Sequence, residues 1–192
     1  MKINKIAFLL LLFLTYTAGS FELPVFQKNK NIIKKDFVKA YVVRVIDGDT
    51  IVVKIPETIF NNRKILKNLR FKVRLIGIDT PESRINRRAK LQARETGANV
   101  KKILVLGKKA KEFTKYLLPK GKAVFLEFDI EPQDRYGRLL AYVWLPDGTM
   151  VNKEIICSGY AYPLTIPPNV KYEKQFRQCF RKAVKLHKGL WR

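Results

Sequence analysis

The amino-acid sequence predicts an α+β fold with a mainly β core: a small five-stranded barrel accompanied by three helices. Three observations point to it. Five stretches alternate apolar and polar residues or run β-branched, as strands do. Helical periodicity appears once between the third and fourth of these and twice after the fifth. Strands and helices do not alternate regularly, as a βαβ sheet would require.

The chain opens with Lys2 and Lys5, an unbroken apolar run from Ile6 to Leu14 and the small residues Ala18, Gly19 and Ser20. Residues 1–20 therefore read as a signal peptide for export. The apolar run is well short of the roughly 20 residues that span a bilayer, so a secreted or periplasmic protein is expected, with no transmembrane helix once the signal is cleaved. An uncleaved signal acting as a membrane anchor is the alternative. Residues 21–36 carry Lys28, Lys30, Lys34 and Lys35 without periodicity and read as a basic leader to one domain over 37–192.

Val38 to Ile46 is the first strand, Asp47-Gly48-Asp49 a turn, and Thr50 to Ile55 the returning strand, an arrangement in which Asp-Gly is a strong hairpin signal. Pro56 to Arg70, with Arg63, Lys64 and Lys67, reads as an extended hairpin loop. Phe71 to Ile78 is the third strand, with Phe71, Val73 and Leu75 on one side and Lys72, Arg74 and Ile76 on the other, and Pro81 ends it. Arg74 and Asp79 are an odd number of residues apart, on opposite faces of a flat strand. A bend near Gly77 brings them together.

Ser83 to Gly107 is cationic (Arg84, Arg87, Arg88, Lys90, Arg94, Lys101, Lys102) against one acid, Glu95. It reads as a solvated loop, or alternatively as an arm facing phosphates. Lys108 to Leu118 places Ala110, Phe113 and Leu117 on one helical face, stopped by Pro119 and Gly121. Ala123 to Asp129 and Leu139 to Leu145 are the last two strands, and Pro146-Asp147-Gly148 closes the second of them. Val151 to Ser158 is a short helix ended by Gly159. Asn169 to His187 is a longer one, with Tyr172, Phe176, Cys179, Phe180 and Ala183 at helical spacing. Gly189 ends that helix, and Trp191 is expected to pack back on it.

Composition narrows the chemistry. The 192 residues carry a formal charge of +23, which suits a polyanionic partner such as nucleic acid or an anionic surface. Two cysteines, Cys157 and Cys179, either form one disulfide or pack as buried thiols. With His187 the only histidine, and that one in a basic C-terminal helix, the chain offers no plausible zinc set and cannot build a two-histidine ribonuclease site or a Ser-His-Asp triad of the usual kind.

Three polar clusters remain: Asp47-Gly-Asp49-Thr50, Arg74 to Glu82, and Asp134-Arg-Tyr-Gly-Arg138. Each alone has a structural explanation in turn chemistry. Together they concentrate Asp47, Asp49, Asp79 and Glu82 within a very basic chain, which calls for a cation or a catalytic proton. Aspartates without histidine or cysteine select calcium or magnesium. Glu82 is placed to take a proton from an attacking water, and Arg74 and Arg138 to bind a phosphate in pairs of hydrogen bonds. That set describes metal-assisted hydrolysis of a phosphodiester.

These stretches resemble the staphylococcal nuclease (thermonuclease) family from about Val38 to Trp191. Val-Ile-Asp-Gly-Asp-Thr, Arg-Leu-Ile-Gly-Ile-Asp-Thr-Pro-Glu and Asp-Arg-Tyr-Gly-Arg-Leu-Leu-Ala-Tyr occur in family order, followed by Asp-Gly-Thr-Met-Val-Asn and a closing Gly-Leu-Trp. The resemblance implies an OB-fold five-stranded β-barrel with three α-helices, and Ca2+-dependent cleavage of DNA and RNA to 3′-phosphate products. It implies Asp49, Asp79 and the Thr80 carbonyl as calcium ligands, Asp47 as a nearby acid behind them, Glu82 as base, and Arg74 and Arg138 as phosphate-binding groups.

The stretches Pro56 to Arg70 and Ser83 to Lys109 are longer than in the compact secreted enzyme. The family's nucleotide-contacting tyrosines have a counterpart in Tyr162, within a segment whose spacing departs from the family's. A monomer with no obligate protein partner is expected. The competing reading is a non-catalytic OB-fold module that binds single-stranded nucleic acid; it has no need of Glu82 or the paired aspartates.

Overall fold

A computed structural model describes residues 37–60 and 64–191. The expected signal and leader lie outside the described residues. The chain runs β1 (Phe37–Asp47), β2 (Thr50–Phe60), β3 (Lys64–Leu75), β4 (Ile78–Asp79), α1 (Arg87–Thr96), α2 (Val100–Leu117), β5 (Ala123–Glu127), β6 (Leu139–Trp144), α3 (Val151–Cys157), β7 (Tyr162–Pro163) and α4 (Glu173–Lys185), with a final 3-10 turn at Gly189–Trp191. Five strands close into a barrel in the order β1-β2-β3-β6-β5, and β4 and β7 form a separate two-stranded ladder. All barrel pairings are antiparallel except β3 with β6, where Val73, Arg74 and Leu75 run alongside Leu139, Leu140 and Ala141. This is the OB architecture, a five-stranded Greek-key barrel.

Three expectations need correction. The stretch Pro56 to Arg70 is not a loop: β2 and β3 continue their ladder to the pair Phe60↔Lys64. Thr58-Ile59-Phe60 opposite Ile65-Leu66 suits an extended ladder. Pro56, which has no N–H to donate, is skipped by the register together with Asn68, whose φ is 58°.

The segment Ser83 to Gly107 is not a solvated loop either. It contains α1 and the first two turns of α2, so the fold has four helices rather than three. Asn86 caps α1 by accepting from the Ala89 amide at 2.7 Å, and Gly97 ends it in the left-handed conformation. Asn99 caps α2 through the Lys102 amide at 2.8 Å. The buried face of α1 is Ala89, Gln92 and Ala93, small or polar residues that leave no hydrophobic period to read. Lastly, α4 begins at Glu173, four residues after the expected Asn169.

The core fills the barrel with Ile51, Val53, Val73, Leu75, Leu126 and Leu139, and continues beneath α3 and α4 through Tyr142, Ile155 and Phe176. A satellite cluster of Ala89, Ala93 and Ile103 joins α1 to α2. Cys157 and Cys179 form a disulfide between α3 and α4. Trp191 packs edge-on against Phe180 and Tyr162. Among the described residues no helix is long and apolar enough to cross a membrane.

Candidate nuclease-type site

The site begins where β3 stops. Beyond Leu75 the chain turns through Ile76 and Gly77, and Gly77 adopts φ 79°, a conformation that glycine takes without steric cost. The fully buried Asn152 of α3 holds this turn: its amide donates to the Ile76 carbonyl at 2.9 Å and its oxygen accepts from the Val143 amide at 2.8 Å. The reversal lets Arg74 reach forward. Its Nη2 donates to the Ile78 carbonyl at 3.1 Å and to Asp79 Oδ1 at 2.9 Å, and its Nη1 is ion-paired with Asp49 Oδ1. The expected bend at Gly77 is thus present.

Asp49, at the start of the β1–β2 return, is almost fully buried. Its Oδ2 accepts from the Thr80 amide at 2.9 Å and the Thr80 hydroxyl at 3.0 Å, and its Oδ1 accepts from the Thr50 hydroxyl at 3.1 Å. The turn that carries it is fixed by α2, where the buried Thr114 hydroxyl donates to the Gly48 carbonyl at 2.6 Å. Asp49 and Asp79 therefore face one cation, the guanidinium of Arg74. Burial works to lower the Arg74 pKa, but the two carboxylates outweigh it and hold the group above its ordinary value.

Glu82 lies half-buried after Pro81, and its Oε2 accepts from the Asn86 side-chain amide at 2.8 Å. Burial raises its carboxyl above the ordinary range; the Asn86 amide opposes this, and the charges of Asp47, Asp49 and Asp79 add to it. Asp47 is raised chiefly by burial, with Asp49 adding to the effect. Four acids thus share one end of the barrel. Helix α2 approaches this segment so closely that a Cβ at Gly107 would lie 2.1 Å from the Glu82 carbonyl oxygen, so only glycine fits there.

Two residues of α1 complete the arrangement, and the loop reading of Ser83 to Gly107 had concealed them. Buried Gln92 accepts from the Glu82 amide at 2.9 Å and donates to the Thr80 carbonyl at 3.1 Å and to Asp79 Oδ2 at 3.3 Å. One side chain therefore ties together three of the expected site residues. Arg88 donates to Asp79 Oδ2 at 2.9 Å. The Asn86 and Gly97 caps were the available signal for α1; nothing local signals the reach of Gln92.

Arg138 comes from the other side. Leu139, the residue after it, pairs with Val73, the residue before Arg74, so both arginines leave neighbouring parallel strands at one end of the barrel. Asp134 orients Arg138: its Oδ2 accepts from Arg138 Nε at 2.6 Å and its Oδ1 from the Arg138 amide at 3.0 Å. Tyr136, largely exposed, lies with its ring centre 4.9 Å from the Arg135 guanidinium and 5.7 Å from that of Arg138. The sequence reading passed over this exposed ring beside Arg138. Tyr162 pairs with Asp79 through the β4–β7 ladder, and its ring sits half-buried on Trp191 and Phe180.

Among the described residues no three acidic, histidine or cysteine side chains gather as a metal cage. The donor set is instead two carboxylates, Asp49 and Asp79, converging on one positive group, with the Thr80 carbonyl adjacent. All are oxygens, as a hard cation requires.

The sequence as a whole agrees with this geometry. The family model described as staphylococcal nuclease homologue matches residues 72–192. The chain is 38% identical over 150 residues to a thermonuclease of Staphylococcus hyicus, spanning 78% of this chain and 73% of that protein. It is 38% identical over 154 residues to a thermonuclease of Staphylococcus intermedius, spanning 80% and 76%. It is 34% identical over 150 residues to endonuclease YhcR of Bacillus subtilis, spanning 77% of this chain and 11% of that much longer protein. By barrel topology, by the matched stretch that runs from β3 to the final turn, and by identity to these relatives, the chain belongs to the staphylococcal nuclease family.

Proposed function

We propose that this protein is an exported, monomeric, calcium-dependent nuclease that hydrolyses DNA and RNA to 3′-phosphate products. Family membership makes it a nuclease; the metal, the breadth of substrate, the product ends and the residue roles are the proposal. The observation that carries it is Arg74, bonded at once to Asp49 and Asp79 beside the half-buried Glu82. Export is supported by the signal-like residues 1–20 and by the Cys157–Cys179 disulfide, a bond that persists in oxidising compartments.

Asp49, Asp79 and the Thr80 carbonyl would hold calcium, which supplies Lewis-acid polarisation of a phosphate oxygen when bound. The chain's own groups do the rest. Glu82, its pKa raised by burial, takes the proton of the attacking water as the new P–O bond forms. Arg138, oriented by Asp134, and Arg74 donate to the equatorial oxygens, where negative charge builds as the bond to the 5′ oxygen breaks. The departing 5′ oxygen takes up a proton from solvent, to which Glu82 in turn releases the one it accepted, and the phosphate stays on the 3′ side. Asp47 adds negative charge behind Asp49, and Tyr162, paired with Asp79 in the β4–β7 ladder, would contact the substrate.

The test is digestion of plasmid DNA and of RNA by the mature protein with calcium, with magnesium and with chelator, followed by analysis of product ends. Cleavage of both polymers with calcium, lost to chelator and leaving 3′-phosphates, is expected. Cleavage indifferent to chelator would overturn the calcium assignment. DNA binding with no cleavage under any condition would make the protein a binding module.

A further inference from the structure

Asp79 is held by more donors than the barrel itself supplies. Arg74 of β3 donates to its Oδ1 at 2.9 Å, while Arg88 and Gln92, both from α1, donate to its Oδ2 at 2.9 Å and 3.3 Å. Arg88 and Gln92 are four residues apart and so project from one face of the helix. Gln92 also donates to the Thr80 carbonyl at 3.1 Å. Each oxygen of a carboxylate accepts at about two lone pairs. Asp79 Oδ2 is therefore filled, and Asp49 is filled too: Thr50 and Arg74 meet its Oδ1, and the Thr80 amide and hydroxyl meet its Oδ2.

A cation that binds these oxygens must take one of those places, and the donors differ in what they lose by leaving. The Thr80 amide is main chain, and Thr50 is buried. Arg74 is 17% exposed and would give up Asp49 and Asp79 at once. Arg88 is 42% exposed and pairs with Asp79 alone, a weakly held ion pair whose guanidinium regains water when it swings away. Its place in the helix adds to this. Arg88 is the second residue of α1, where the positive end of the helix dipole disfavours a cation. The helix start is pinned without it: Asn86 caps α1 through the Ala89 amide and donates to Glu82 Oε2 at 2.8 Å. Arg88 can thus be released while α1 stays in place.

We propose that Arg88 is a resident counter-ion of the metal site, a guanidinium that gives up Asp79 Oδ2 when calcium binds and so sets the calcium concentration at which the site fills. The inference rests on the calcium reading of Asp49, Asp79 and Thr80 and adds the residue that tunes it. Without metal, the guanidinium offsets the charge of Asp79; once a divalent ion supplies that charge, the pairing is redundant. Gln92, which is neutral, stays on the Thr80 carbonyl in either state.

The test is calorimetric titration of calcium into the mature protein and its Arg88→Gln and Arg88→Lys variants, with urea denaturation of each in chelator to confirm folding. Glutamine keeps the helix propensity and removes the charge. Arg88→Gln is expected to bind calcium about tenfold more tightly, the size of effect that one unit charge has on a nearby divalent ion at a partly solvated site. Arg88→Lys, which keeps the charge, is expected to lie nearer the parent. Calcium affinity unchanged in Arg88→Gln overturns the proposal and leaves the calcium reading standing. Weaker affinity together with a lowered urea midpoint also overturns it and would make Arg88 a brace for α1. Binding seen only in Arg88→Gln supports the proposal in its strongest form, with the guanidinium holding the site closed. No calcium binding by the parent or either variant removes the calcium reading and the proposal with it.

Discussion

Arg74 on β3 and Asp79 on β4 meet at 2.9 Å because the chain reverses between them at Gly77. The same guanidinium reaches Asp49, so one turn decides whether the two carboxylates face a common point. Gly77→Ala tests this. Its φ of 79° is strained for any residue with a Cβ, and that Cβ would meet the Phe176 ring at 2.4 Å. The left-handed conformation and the overpacking together cost about 3 kcal/mol. Urea denaturation of Gly77→Ala is expected to show that loss together with a large fall in nuclease rate; a wild-type midpoint would mean that the turn is not constrained as described.

Gln92 should matter out of proportion to its distance from the substrate. Gln92→Leu preserves bulk and helix propensity but leaves the Glu82 amide and the Thr80 carbonyl without this partner. Leaving such buried groups unpaired costs about 1–3 kcal/mol. Calorimetric titration with calcium should show at least tenfold weaker binding, and chemical denaturation a matching loss in stability. Calcium affinity equal to that of the parent would reduce Gln92 to a packing role.

The raised Glu82 pKa has a consequence for stability. The folded state holds the Glu82 proton more tightly than the unfolded chain does, because burial and the neighbouring acids penalise the carboxylate. Its contribution is therefore fully present below the unfolded carboxyl pKa of about 4.3 and is lost as pH rises through the raised value. In chelator, Glu82→Gln should be more stable than the parent at pH 7, with the advantage vanishing near pH 3. Thermal melts across that range check the sign, and a Glu82→Gln advantage that grows toward low pH would refute it. Turnover in calcium should fall by about 10²–10⁴.

The disulfide closes a 22-residue separation between α3 and α4. A loop of that size stabilises by about 3 kcal/mol through restriction of the unfolded chain. Cys157→Ser/Cys179→Ser, or the parent in dithiothreitol, should show that loss in guanidinium denaturation. Midpoints that do not move on reduction would contradict it.

How much of this was readable beforehand follows from the range of each interaction. The five barrel strands, the Asp47–Thr50 return, the bend at Gly77 and the caps after α3 rest on alternation and turn residues within a few positions, and these the amino-acid order dictates. The motifs holding Asp49, Arg74, Asp79, Glu82 and Arg138 were visible for the same reason. The continuation of β2 and β3 past Pro56 was hidden because a proline commonly ends a strand, and only the pairing of Phe60 with Lys64 shows that the ladder steps over it.

Helix α1 was hidden differently. Its buried face is alanine and glutamine, so solvation and charge dominate its pattern, and the contacts that hold it in place are made across the fold. Gln92 reaches Glu82 and Thr80 over ten and twelve residues, and Cys157 meets Cys179 only once α3 and α4 are packed. Residue types and local geometry belong to the sequence. Which carboxylates share one cation and which helix braces them are set by packing, because those contacts exist only when distant segments are brought within hydrogen-bond range.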